Sequence, residues 1–111
     1  MAYNREVETR IQKILSQWKD MERKKMFGGL CYLFRGNMIF GIYMDLLFLR
    51  LGEKGAQEAL QSDFVRPFDI NGKPMKGWVM VKQKGFESDN ELTAFLEEAR
   101  DFVVTLPQKK R

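Results

Sequence analysis

The sequence predicts an α+β domain, an antiparallel sheet packed with helices in the order α-β-β-β-α-β-β-α. Three observations carry this. Both ends of the chain place apolar residues at helical spacing, while residues 26–51 are apolar segments joined by links of one to three residues. Links that short force antiparallel neighbours, because a parallel crossover needs a dozen residues or more. Finally, 111 residues at 44% hydrophobic and 31% charged suit one domain, which at this size folds without a metal or disulfide.

In chain order, Val7, Ile11, Ile14, Leu15 and Trp18 form one stripe on a helix over residues 5–19. Asn4 is its expected N-cap, and Glu6 and Glu8 suit the positive end of the helix dipole. Residues 20–25 are a charged link. Residues 26–34 read as a strand, 35–37 as a turn, 38–44 as a second strand, Asp45 as punctuation and 46–51 as a third. Gly28 and Gly29 within a strand point to a bulge or to a neighbour crossing too closely for a side chain.

Residues 53–61 read as a short helix with Ala56, Ala59 and Leu60 inward, and residues 62–67 as a loop. Residues 68–70 and the strand Trp78-Val79-Met80-Val81 form a second hairpin. Its signal is Asn71-Gly72, a type I′ pair whose central positions both need positive φ. Ser88-Asp89-Asn90-Glu91 has the form of a capping box. The stripe that follows is Leu92, Phe95, Leu96, Ala99, Phe102, Val103 and Leu106, and Pro107 stops it.

Composition excludes several chemistries. With no histidine there is no Ser-His or Cys-His pair, imidazole base or His-ligated zinc. One cysteine allows neither an internal disulfide nor a thiolate cluster, and Cys31, set in an apolar strand, reads as a packed thiol. Glu97, Glu98 and Asp101 read as a solvated acidic helix face. Gly28-Gly29 lacks the helix start and lysine of a phosphate loop. No catalytic residue, metal-ligand set or cofactor is predicted. The N-terminus has no apolar signal segment, and the uncharged stretches 26–34 and 36–44 are about half of the roughly 20 residues a membrane helix needs. With a lone thiol, this predicts a cytoplasmic protein.

The net charge of +4 is unevenly spread: residues 87–106 carry one cation against six carboxylates, and the rest of the chain is basic, ending in Lys109, Lys110 and Arg111. Around the second hairpin, Arg66, Lys73, Lys76 and Lys84 interleave with Phe68 and Trp78, a pattern that can hold nucleic acid by phosphate contact and base stacking.

Met26-Phe27-Gly28-Gly29 opens a series of blocks that resembles the N-terminal domain of TfoX/Sxy competence regulators. The series continues through Gly36-Asn37-Met38, residues 45–51, Arg66-Pro67-Phe68, Gly72-Lys73-Pro74-Met75-Lys76-Gly77-Trp78-Val79 and Ser88-Asp89-Asn90-Glu91-Leu92. It spans roughly residues 20–106, leaving 107–111 as a basic tail. The resemblance implies a fold like that of type III secretion chaperones and a bacterial cytoplasmic protein related to regulators of DNA-uptake genes. It implies no catalytic residue. Regulators of this type carry a second, helical domain, so residues 1–111 read as a single-domain member; Cys31 stands where many relatives have glycine. The glycines and prolines of the blocks have structural reasons, in turn geometry and fixed φ, and are assigned to the fold before a site.

The leading expectation is a non-enzymatic regulatory or adaptor domain acting by protein–protein binding in transcriptional control. Direct nucleic-acid binding through Arg66, Lys73, Lys76 and Lys84 is the alternative. A small enzyme using Tyr32, Tyr43, a lysine or a carboxylate is a third. A homodimer is also expected, because the strands are apolar on both faces: Leu47, Leu49 and Leu51 point one way, Leu46 and Phe48 the other, and Phe40, Ile42 and Met44 oppose Ile39 and Tyr43. On that reading Phe48 is an outward position where a charge gives a monomer. The rival is that the first and last helices cover opposite faces of the sheet.

Overall fold

Asn4 starts the first helix as expected, its Oδ1 accepting from the backbone N–H of Glu6 and Val7 at 2.9 and 3.1 Å. Helix α1 (Arg5–Leu15) buries Val7, Ile11 and Leu15. The computed structural model describes residues 3–26, 28–69 and 72–107. Trp18 lies past the end of α1, edge-on to Phe40, with the Arg100 guanidinium 4.4 Å over its ring.

Four strands follow, one more than the sequence suggests: β1 (Met21–Met26), β2 (Gly29–Phe34), β3 (Asn37–Tyr43) and β4 (Leu46–Arg50), an antiparallel meander. β1 escapes sequence reading because it is an edge strand, with four exposed charged residues in its middle and no period-two pattern. Residues 26–34 are therefore not one strand. Met26 pairs with Gly29 across a tight turn, where Gly28 takes φ +79° with nothing near the site of a Cβ. Glycine is needed there for the turn, not for a bulge or close crossing; Phe27 lies outside the described residues. The bulge sits instead in β3, where Tyr32 pairs with Phe40 and Leu33 with Met38, so Ile39 is unpaired. Ile39 consequently joins Phe40 and Ile42 in one buried cluster instead of opposing them.

Helix α2 (Gly52–Ala59) buries Ala56, but Leu60 at its end is 37% exposed, contrary to the expected inward placement. The supposed loop 62–67 contains strand β5 (Val65–Pro67), which pairs antiparallel with β6 (Trp78–Val81). The second hairpin is thus built on residues 65–67 rather than 68–70, and its connection is residues 68–77 rather than a two-residue turn. Gly72 keeps the expected positive φ, at +84°, while Ile70 and Asn71 lie outside the described residues. The sheet order β1-β2-β3-β4-β6-β5 puts β5 at an edge, where Pro67 is tolerated. A 3-10 turn (Gln83–Phe86) leads to α3 (Asp89–Val103), whose capping box is complete. Ser88 Oγ accepts from the Glu91 N–H, and Glu91 Oε1 accepts from the Ser88 N–H, both at 3.0 Å. Arg10 ties α1 to this junction, donating through Nη2 to the carbonyls of Phe86 and Glu87 and through Nε to Asp89.

Buried residues of α1, α2 and α3 all belong to one cluster on one face of the sheet, together with Leu30, Tyr32, Leu47, Leu49, Val79 and Val81. The helices do not take opposite faces. On the other face Cys31, Phe48, Phe68, Trp78 and Met80 form a second, smaller cluster, bordered by half-buried Met26, Leu33, Met38, Tyr43 and Leu46. Phe48 is fully buried there, so it is a core position and not an outward contact. Its burial depends on Gly41, its cross-strand partner, since a Cβ at 41 would collide with the Phe48 ring and the Leu30 carbonyl oxygen. Gly41→Ala is expected to lower the unfolding free energy by about 2 kcal/mol in denaturant melts, within the usual range for overpacking.

Candidate functional site

The 68–77 segment leaves β5, folds Phe68 onto the helix-free face and returns at Trp78. Phe68 stands edge-on to Phe48 at 5.2 Å and lies 5.5 Å from Trp78. Arg50, the cross-strand neighbour of Trp78, carries its guanidinium 5.5 Å over the indole, and its Nη1 donates to the Met38 carbonyl at 3.4 Å. Two backbone bonds close the segment: Met75 N–H to Phe68 O at 3.0 Å and Trp78 N–H to Met75 O at 3.2 Å.

The carbonyl of Gly77 accepts from the N–H groups of both Leu51 and Gly52, at 2.8 and 3.1 Å, and so fixes the start of α2 beside the segment. Gly77 has φ +84°, a conformation that calls for glycine, and a Cβ there would also be tight, 3.3 Å from the Gly52 backbone.

Between α2 and the segment lies a cleft of about 280 Å³. Trp78, Gly77, Pro67 and Pro74 line it with Ala56, Gln57, Leu60, Met75, Glu53 and Lys76. Leu60 and Met75 are 37% and 47% exposed, so two large apolar side chains of this lining meet solvent. The lining offers shape and apolar contact; its charges are one carboxylate and one ammonium, with no thiol or imidazole.

Of the residues singled out from sequence, Pro67, Pro74, Gly77, Trp78 and Lys76 line this cleft and Phe68 lies under the segment. Arg66, Lys73 and Lys76 are exposed at or beside it. Lys84 is elsewhere, lining a second cleft with Asn4, Arg10 and Phe86. Phe68 and Trp78 are 5% and 8% exposed and packed on each other, so neither ring is free to stack on a base. Met26, Gly28 and Gly29 lie at the β1–β2 turn, and β1 is four strand spacings from β6, on the order of 19 Å. Sequence reasoning missed the two exposed walls. Leu60 falls on the apolar stripe of α2 but one residue past its end, and Met75 carries no period in a loop.

The other titratable candidates separate. Tyr32 belongs to the helix-covered cluster and Tyr43 borders the opposite one. The Tyr32 hydroxyl is buried without a hydrogen-bond partner. Burial, reinforced by Glu8 and only partly opposed by Arg23, which is paired to Glu8 at 2.9 Å, holds it well above the ordinary phenol range. Burial likewise pushes the Cys31 thiol up to about 11. Among the described residues no three His, Cys, Asp or Glu groups gather as metal ligands, and no helix is long and apolar enough to cross a membrane.

The family profile described as the TfoX N-terminal domain matches residues 13–103, from the last turn of α1 to the end of α3. The chain belongs to the TfoX N-terminal domain family. No curated protein and no solved structure matches the chain. In this TfoX N-terminal domain two blocks line the cleft, residues 66–68 through Pro67 and residues 72–79 through Pro74 to Trp78, while Phe48 of residues 45–51 packs with Phe68 and Trp78 on the helix-free face and Arg50 lies over the Trp78 ring.

The position of Cys31 gives a direct check. At pH 8 a thiol raised to about 11 is almost wholly protonated, and here it is also sealed from solvent. Iodoacetamide is expected to leave the native domain unmodified by mass spectrometry and to add one carbamidomethyl group after denaturation.

Proposed function

We propose that this TfoX N-terminal domain is a non-enzymatic regulatory or adaptor module of the competence-regulator type, acting by binding another protein through the cleft between α2 and residues 68–77. The observation that carries this reading is that two of the family blocks, residues 66–68 and 72–79, supply Pro67, Pro74, Gly77 and Trp78 to that cleft, with Leu60 and Met75 exposed at its walls. The blocks supply a rigid floor, and the two exposed side chains supply the area that a partner would cover.

The test is substitution of those two positions, which carry little of the core. Leu60→Glu with Met75→Glu is expected to change the melting temperature by no more than a few degrees while abolishing capture of the partner that the wild-type domain recovers from a bacterial extract. Equal recovery by the variant would overturn the cleft as the docking site. A second reading, contact with nucleic-acid phosphates, is supported by the exposure of Arg66, Lys73 and Lys76 and by the net charge of +4. It gains if the extract yields no protein and if Lys73→Glu with Lys76→Glu removes DNA binding that weakens steadily with salt.

We also propose that the domain is a homodimer formed through the helix-free face. Met26, Leu33, Met38, Tyr43 and Leu46 are half-buried there, and no helix residue belongs to that cluster. Light scattering at tens of micromolar is expected to give about twice 13.1 kDa. Met38→Glu is expected to give the monomer mass with unchanged circular dichroism, whereas a wild-type mass near 13.1 kDa would end the idea.

A further inference from the structure

A further groove lies at the opposite end of β5, away from both clefts described above. Ser62 and Phe64 form one side, Gly85 the floor, and Ala94, Phe95, Glu91 and Glu98 of α3 the other side, around about 440 Å³. Phe64 is 40% exposed, yet its backbone is held at two points. Its carbonyl accepts from the Lys82 N–H at 2.8 Å, and its N–H donates to Ser62 Oγ at 3.2 Å. The floor has no side chain, and a Cβ at 85 would stand 2.6 Å from Val81 Cγ1 and 3.1 Å from Phe64 Cβ. Phe95, half-buried, packs on the main core from the far side. Two-fifths of Phe64 still meets solvent, and a backbone already held by hydrogen bonds loses little further freedom when a partner covers the ring.

The charge at this groove has one sign. Glu91 and Glu98 line it, and the negative charges of Glu58 and Asp101 act on Glu98, which sits partly desolvated among them. The one cation of residues 87–106 is Arg100, and it is stacked over Trp18. No lysine or arginine lines the trough. Two apolar walls whose only charged lining residues are the carboxylates Glu91 and Glu98 complement a cationic chain with an apolar anchor.

We propose that this groove docks a basic segment of another protein, seating an apolar side chain between Phe64 and Phe95 and placing lysine or arginine groups against Glu98 and Glu91. The inference stands apart from the cleft reading: it uses different residues, and either site can fail without the other. A module with both would hold two partners at once.

Glu91 Oε1 closes the capping box of α3, so Glu98 and Phe64 are the positions to alter. The probe is the peptide Lys-Lys-Ala-Phe-Ala-Lys-Lys, titrated into ¹⁵N-labelled domain. Two controls accompany it, one with alanine for phenylalanine and one with glutamate for every lysine. The expected result is amide shifts at Phe64, Gly85, Ala94 and Phe95 with the first peptide. The Phe-free control should bind about fivefold or more weakly, and the acidic one should not bind. Phe64→Ala should weaken binding about fivefold and Glu98→Gln about two- to threefold, with melting temperatures within a few degrees of wild type. Raising salt from about 50 to 500 mM should weaken the first peptide further. Absence of shifts at millimolar peptide, equal response to the acidic peptide, or unchanged affinity in Phe64→Ala would overturn the proposal. So would a fall in the mass of Phe64→Ala relative to wild type by light scattering, which would put a second copy in the groove.

Discussion

Three helices on one face of a sheet that is apolar on both faces leave the second face to be closed from within the sheet and its connections. Gly41 makes this possible. The missing side chain lets the Phe48 ring lie over β3, and Phe68 then reaches down from the 68–77 segment to meet it edge-on. Trp78 completes the cluster and is covered in turn by Arg50. Each such ring contributes roughly 1.5–3 kcal/mol by leaving water. This burial anchors Phe68 and Trp78 to the sheet, and the Gly77 carbonyl accepts from the N–H groups of Leu51 and Gly52 at the start of α2. The cleft is a by-product of this closure: it is the space between a helix and a segment, both placed by other requirements.

The edges of the sheet are blunted by different means. β1 carries Glu22, Arg23, Lys24 and Lys25 exposed along its length, and β5 is three residues long with Pro67 at its end. Neither invites another strand. The acidic outer surface of α3 and the basic β1 edge lie at different parts of the molecule, so the mild net charge hides two regions of opposite sign.

The long, strongly patterned elements were legible in the sequence. Asn4 and the capping box at Ser88 mark helix starts because their side chains answer a local need, and the apolar meander shows because both of its faces are buried. β1 and β5 were not legible, since edge strands lack the alternation that burial imposes, and Asn71-Gly72 drew the second hairpin to the wrong residues. The glycines illustrate the limit of local reasoning. Gly28 serves a turn, while the close approach expected of it belongs to Gly41, an unremarked residue in the middle of a strand. Of the cleft, Pro67, Gly77 and Trp78 stood out through the family resemblance. The exposure of Leu60 and Met75 was not legible, because exposure at a helix end or in a loop is a property of the assembled fold.

The two ends of the described chain are anchored at opposite ends of one strand. Tyr3 bridges to Met44 and the Asn4 N–H donates to the Met44 carbonyl at 2.8 Å, just past the end of β3. At the other end, Asn37 Nδ2 donates to the Pro107 carbonyl at 3.0 Å, at the first residue of β3. Seven residues of strand hold these anchors roughly 23 Å apart. The described chain therefore starts beside one end of β3 and finishes beside the other. A flexible link between the two anchors would have to run the length of β3.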